Sequence, residues 1–188
     1  MIPVSKLLVI GGSAGSLDVL MHLLPELDAD WPLAMIIVLH RKSDSDMLLA
    51  RLLAGKTCLP LKEADEKDIL LPGHIYIAPS DYHLLIEPDG SLTLDASEKV
   101  NYSRPSIDVT FMSAAEVFGD RLYCILLSGA NIDGTEGLKE AKELGGFIAV
   151  QDPEEAEVAF MPKHAITVVP VDKVLGIREM ISFVKELS

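Results

Sequence analysis

The feature that most restricts the fold is a repeated unit: a short apolar run, a turn of small residues, then apolar residues at helical spacing. Residues 6–10 form one such run and stop at Gly11 and Gly12. Leu17, Leu20, Met21, Leu24 and Leu27 follow at a period that lines one helix face. Residues 33–39 form a second continuous run, after which Met47, Leu48, Arg51 and Leu52 suggest a helix capped by Ser43 or Asp44. Apolar runs without polar alternation belong to strands covered on both faces. This opening therefore predicts an α/β fold with a mostly parallel sheet and helices on both faces, Rossmann-like and doubly wound.

The middle of the chain differs. Residues 59–61, 75–78, 84–87 and 92–94 are short apolar runs, and Pro88, Asp89 and Gly90 punctuate the last two as a hairpin turn. Residues 57–100 are expected to form an antiparallel β-hairpin excursion on the parallel sheet. Helical spacing returns at 105–118, with Ile107, Phe111, Ala114, Ala115 and Phe118 on one face. A strand at 122–127, a helix at 134–144, a strand at 146–150 and a closing helix carrying Met180, Phe183 and Val184 complete the pattern. The 188 residues contain no repeat or linker, so one domain over 1–188 is expected.

Composition excludes several functions. The net charge is −13, and no cluster of Lys and Arg offsets it, which excludes a nucleic-acid partner. No apolar run approaches the roughly 18 residues needed to span a bilayer, so no membrane insertion is expected. Cys58 and Cys124 do not make a disulfide framework, and a cytoplasmic location is the expectation.

Gly11, Gly12, Ser13, Ala14 and Gly15 fit G-x-S-x-G between a predicted strand and a predicted helix. A serine on that bend projects from the carboxyl edge of the sheet, beside helix N-terminal N–H groups that can hold an oxyanion. A phosphate-binding loop and a plain tight turn are the alternatives. The third glycine of G-x-G-x-x-G is missing, and the second strand ends in His40 rather than an acidic residue. His40 falls at the same edge as Ser13 and has the chemistry of a general base, or else that of a capped surface histidine. Asp133 follows the strand at 122–127 and a loop of Ser128, Gly129, Ala130, Asn131 and Ile132. It suits the orienting carboxylate of a triad, or equally a helix N-cap. Asp108 reads as a favourable charge at a helix start. His22 lies on a helix and His164 in a loop. His74 and His83 lack zinc spacing, so no metal is expected.

These residues carry a resemblance. Residues 6–188 resemble the catalytic domain of the CheB chemoreceptor-glutamate methylesterases, in order, at 9–15, at 38–40, at 71–79 with His83, at Arg104 to Asp108, and at 127–134. The resemblance implies hydrolysis of glutamate γ-methyl esters on the cytoplasmic helices of methyl-accepting chemoreceptors, with glutamine deamidation as a second activity and no cofactor. The nucleophile, base and carboxylate of that family fall on Ser13, His40 and Asp133. Ala14, Gly15, Gly129 and Ala130 are then candidates for the oxyanion and substrate contacts; Arg104, with Arg41 and Lys42, is read either as a solvated surface charge, the favoured role for each, or as a contact for receptor carboxylates. Ser16, the His40-Arg41-Lys42 segment, and the Ala130-Asn131 pair depart from the family's usual residues around the substrate mouth. The regulatory receiver domain of typical members is not among these residues, so the chain is expected to be either a stand-alone esterase without control by an attached domain or a piece of a larger protein. A different serine esterase or amidase, and a receptor-binding module without turnover, are the competing functions.

Overall fold

A computed structural model describes residues 4–40 and 46–187. Among the described residues, seven strands form one parallel sheet in the order β3-β4-β2-β1-β7-β8-β9. They are β1 (Leu7–Gly12), β2 (Ala34–Leu39), β3 (Leu61–Glu63), β4 (Ile75–Ile77), β7 (Leu122–Leu126), β8 (Phe147–Gln151) and β9 (Lys173–Leu175). A separate antiparallel pair, β5 (His83–Ile86) with β6 (Leu92–Asp95), is joined by the 88–90 turn, where Gly90 holds φ 84°. The helices are α1 (Ser16–Leu23), α2 (Asp46–Ala54), α3 (Ile107–Phe118), α4 (Thr135–Glu143), α5 (Phe160–Val168) and α6 (Ile177–Glu186).

The central strands bury both faces, which is why their sequences do not alternate. Leu7 and Val9 of β1 join a core with Phe111 and Phe118 of α3, Leu138 of α4 and Ala165 of α5. Leu8 and Ile10 point the other way, into a core with Leu20 and Leu23 of α1, Leu53 of α2 and Phe183 of α6. The β5–β6 pair lies on the α3 side, contributing Leu84, Ile86 and Leu92. Helices thus cover both faces, as the sequence pattern requires.

Three features depart from the sequence reading. The segment 57–100 is not wholly an antiparallel excursion. β3 and β4 enter the main sheet in parallel, Leu61 opposite Ile75 and Met35 opposite Ile75, and only β5 and β6 run antiparallel. Three-residue strands carry too few positions to declare their partner. β9 is an edge strand of the same brevity, and the sequence reading missed it. His164 is not in a loop but on α5, whose Pro162 sits in the first turn, where a proline interrupts no helical hydrogen bond. The proposed caps Ser43 and Asp44 fall outside the described residues.

The position of β1 between β2 and β7 places three carboxyl-terminal strand ends side by side. The chain leaves β1 toward α1 on one face, and α3 enters β7 from the other. That reversal opens a crevice at the strand ends, where α/β sheets bind ligands.

The α3–α4 packing depends on Gly137. A Cβ there would lie 2.6 Å from Phe111 Cβ and 2.9 Å from the Asp108 carbonyl oxygen. On an exposed helix surface Gly→Ala stabilises by about 1 kcal/mol. Here overpacking reverses the sign, so Gly137→Ala is expected to destabilise by about 1–3 kcal/mol. A urea midpoint below that of the wild type is the expected readout; an equal or higher one contradicts the packing described.

Candidate active site

Parallel register brings the first two candidate residues together. Gly12 pairs with Leu39, and the His40 N–H donates to the Gly12 carbonyl at 3.1 Å. Ser13 and His40 are thus the next residues out along adjacent strands. Both line a cleft of about 270 Å³ whose other walls are Leu17 of α1, Leu39 of β2, and Leu48, Leu49 and Leu52 of α2.

Ser13 is held by its backbone. Its N–H donates to the Ser128 carbonyl at 2.9 Å and to Ser16 Oγ at 2.8 Å. The Ser16 hydroxyl, buried at the start of α1, donates in turn to the Ser128 carbonyl at 2.8 Å. A Cβ at Gly12 would lie 2.1 Å from Ser16 Oγ, so the glycine is what allows this approach. Gly15 takes φ 82° to turn the chain into α1. The departure at Ser16 is therefore a local brace on Ser13.

His40 donates from Nε2 to Asp133 Oδ2 at 2.7 Å. The His40 side chain is 12% exposed and that of Asp133 is fully buried. Asp133 does not cap its own helix, because Gly134, at φ 93°, is the residue before α4 and makes no side-chain cap. Its carboxylate instead meets the N-terminus of α3. Oδ2 accepts from Ile107 N–H at 2.7 Å. Oδ1 accepts from the Ser106 hydroxyl at 2.8 Å, Asp108 N–H at 3.2 Å and the Asn101 side-chain amide at 3.2 Å. Burial pushes the Asp133 carboxyl up, but the His40 contact, Ile107 N–H and the Ser106 hydroxyl outweigh it and hold the group below the usual aspartate value.

Asp108 does stand in the first turn of α3, as expected, but it is buried. It is 4% exposed; Oδ1 accepts from Gly137 N–H on α4 at 2.7 Å and Oδ2 from Asn101 Nδ2 at 2.8 Å. Burial, joined by the charge of Asp133 and opposed by Gly137 N–H, pushes the Asp108 carboxyl up to about 7. The sequence reading also missed Asn101 and Ser106. Ser106 was findable as an N-cap ahead of a helix, and its Oγ accepts from Val109 N–H. Asn101 has φ 49° and Tyr102 φ 63°, in a turn closed by two hydrogen bonds between Val100 and Ser103. No local pattern marks that turn as part of a site.

Of the oxyanion candidates, Gly129 requires correction as a donor. Its N–H donates to the Val158 carbonyl at 3.0 Å. Its role is steric: a Cβ there would lie 2.6 Å from Met161 Cε and 3.0 Å from Ser13 Cβ. Ala14, Gly15 and Ala130 sit on the two loops beside Ser13, and Ala14 and Ala130 are exposed. Arg104 donates to the carbonyls of Ala96 and Ser97 at 2.7 and 2.6 Å, tying down the chain after β6. Arg41 and Lys42 fall outside the described residues. His83 uses both ring nitrogens: Nδ1 accepts from Ser106 N–H at 3.1 Å, and Nε2 donates to the Glu98 carbonyl at 2.9 Å. His74 bonds Pro72 and His164 bonds Thr135, and no group of three or more metal-binding side chains occurs among the described residues.

Comparison with known proteins agrees over nearly the whole chain. A family profile described as CheB methylesterase matches residues 8–184. The crystal structure of the Thermotoga maritima CheB methylesterase catalytic domain superposes with a TM-score of 0.93 at 33% identity, covering 98% of this chain and 99% of that one. A protein-glutamate methylesterase/protein-glutamine glutaminase of Carboxydothermus hydrogenoformans (strain ATCC BAA-161 / DSM 6008 / Z-2901) is 39% identical over 175 residues, 90% of this chain and 52% of that protein. A relative in Leptospira interrogans (serovar copenhageni, strain Fiocruz L1-130), provisionally given the same name, is 44% identical over 173 residues, 92% of this chain and 90% of its own length. The chain thus spans about half of some curated relatives and nearly all of others.

The raised Asp108 value has a consequence for stability. Between the ordinary aspartate value near ~3.9 and about 7, the folded state binds a proton that the unfolded chain releases. Stability referable to Asp108 is full below that window and is lost as pH rises through it. Asp108→Asn removes the titration, so its Tm relative to wild type is expected to be higher at pH 8 than at pH 4. A difference that does not change with pH contradicts the assignment.

Proposed function

The chain belongs to the CheB methylesterase family, and from that premise we propose that it hydrolyses glutamate γ-methyl esters on cytoplasmic chemoreceptor helices through Ser13, His40 and Asp133. The observation that carries the reading is the 2.7 Å bond from His40 Nε2 to buried Asp133, made at the strand end beside Ser13.

With Nε2 committed to Asp133, Nδ1 is the nitrogen left to act as base. It takes the Ser13 proton as the hydroxyl oxygen attacks the ester carbonyl. The tetrahedral oxyanion is held by backbone N–H groups of Ala14, Gly15 and Ala130, at the helix start and the facing loop. Collapse breaks the bond to the methoxy group, and His40 returns its proton to the leaving methanol. Water then attacks the acyl-serine with the same base and releases the glutamate carboxyl and free Ser13. Asp133 fixes the tautomer and stabilises the imidazolium without itself being protonated. Its low proton affinity supports that role.

A glutamine amide in the same place gives the same acyl-serine with ammonia as the leaving group. The double name of the relatives supports this second activity. The apolar wall of Leu17, Leu48, Leu49 and Leu52 suits a methyl ester and its aliphatic stem. An ester is a neutral carboxylate derivative, so the net charge of −13 does not repel it; the released glutamate is anionic, which favours its departure.

Ser13→Ala is expected to retain the wild-type Tm and to lower methanol release from methylated receptor membranes by about 10⁴-fold or more. Wild-type release by that variant overturns the nucleophile assignment. Hydrolysis of generic esters with none of receptor esters by the wild type overturns the substrate.

A further inference from the structure

The buried polar cluster behind His40 holds more than an orienting carboxylate requires. Two aspartates, Asp133 and Asp108, share the side-chain amide of Asn101, whose Nδ2 lies 3.2 Å from Asp133 Oδ1 and 2.8 Å from Asp108 Oδ2. An amide nitrogen has two hydrogens, one for each carboxyl. The Asp108 N–H also donates to Asp133 Oδ1, so the two residues touch through backbone as well. Two carboxyl groups in one buried site do not both ionise without a large penalty.

The environment is unequal. Asp133 accepts from Ile107 N–H and Asp108 N–H at the start of α3, from the Ser106 hydroxyl and from His40. Asp108 has Gly137 N–H and its share of Asn101. Around the pair, β2 brings His40, β5 brings His83 behind Ser106, and α5 brings His164 against Thr135. Among the described residues, the guanidinium of Arg104 is turned to the carbonyls of Ala96 and Ser97. The negative charge therefore belongs on Asp133.

We propose that Asp108 and Asn101 are positioning residues of this site: Asn101 joins the two carboxyl groups, and Asp108 is the neutral member, so that Asp133 alone presents its charge to His40. A neutral Asp108 adds no second charge beside Asp133, and the nearness of Asp133 favours that protonated form. The turn carrying Asn101 is fastened from the opposite side by Asn131, whose Nδ2 donates to Ser103 Oγ at 3.3 Å while its Oδ1 accepts from Asp133 N–H at 3.1 Å. One departure from the usual family residues thus supports the same carboxylate. The left-handed backbone at Asn101 and at exposed Tyr102 is retained because this turn places the amide between the two acids.

The inference rests on the triad reading, so its test uses a probe that reports Ser13 without any receptor. The full chain is treated with a p-nitrophenyl phosphonate, and the rate of Ser13 phosphonylation is followed from pH 5.5 to 8.5, with Tm recorded for each variant. Asp108→Ala is expected to slow labelling by about 10- to 100-fold, the scale of a misplaced catalytic group. Asp108→Asn removes the ionisation but sets its amide nitrogen against Asn101 Nδ2 or Gly137 N–H, a donor against a donor; it is expected to label more slowly than wild type and to lose the part of the pH dependence that Asp108 contributes. Asn101→Gly suits the positive φ and removes only the amide; it is expected to slow labelling with little change in Tm. Wild-type rates in Asp108→Ala or Asn101→Gly overturn the proposal, as does an Asp108→Asn variant whose pH dependence equals that of the wild type. If Asp108→Ala does not fold, the other two variants decide. Absence of labelling at Ser13 in the wild type contradicts the triad instead.

Discussion

The structure turns on a carboxylate that belongs to one helix by sequence and serves another by contact. Asp133 stands just before α4 yet accepts the first N–H groups of α3, and Asp108, in the first turn of α3, accepts Gly137 N–H on α4. The two helix N-termini therefore satisfy each other's unpaired donors through exchanged aspartates. This crossed arrangement requires α3 and α4 to pack closely, which Gly137 permits. It also fixes Asp133 with hydrogen bonds on both oxygens, leaving its orientation toward His40 with little freedom. Rigid placement of the carboxylate is a property of the helix packing before it is a property of catalysis.

The sheet supplies the rest by register alone. Adjacent parallel strands end together, so residues that follow Gly12 and Leu39 are neighbours without any further device. Ser128 closes the third side from the end of β7, its carbonyl accepting from both the Ser13 N–H and the Ser16 hydroxyl. Apolar side chains of α1 and α2 form the mouth, and His40 on its wall bonds to the polar cluster through Asp133. In the proposed reaction this division separates recognition of a neutral ester from stabilisation of the charges that develop during attack.

The legibility of the sequence follows from what each element buries. β1, β2, β7 and β8 were readable because both faces are covered and the chain is apolar throughout. The ends of those strands, with the loop after β7, carry Ser13, His40 and Asp133, so the candidate triad emerged from the same signal. β3, β4 and β9 were not readable as parallel strands, because three residues fit many registers and pairings. α5 was hidden by Pro162, which breaks a helix interior but not a first turn. Asp108 was legible as a helix-start residue but not as a buried one, because Gly137 and Asp133 reach it from another part of the chain and Asn101 from a turn with no local pattern. Gly129 was chosen as a donor for its loop, whereas its N–H is engaged by Val158 and its missing side chain is what counts.

The central claim is that Asp133 holds His40 through Nε2 and so makes Nδ1 the base. Nitrogen-15 NMR of histidine-labelled protein, at a pH where His40 is neutral, tests it directly. The account predicts that Nε2 carries the proton in a downfield hydrogen-bonded resonance and that Nδ1 shows the shift of an unprotonated acceptor. A His40 protonated on Nδ1, with Nε2 the acceptor, contradicts it.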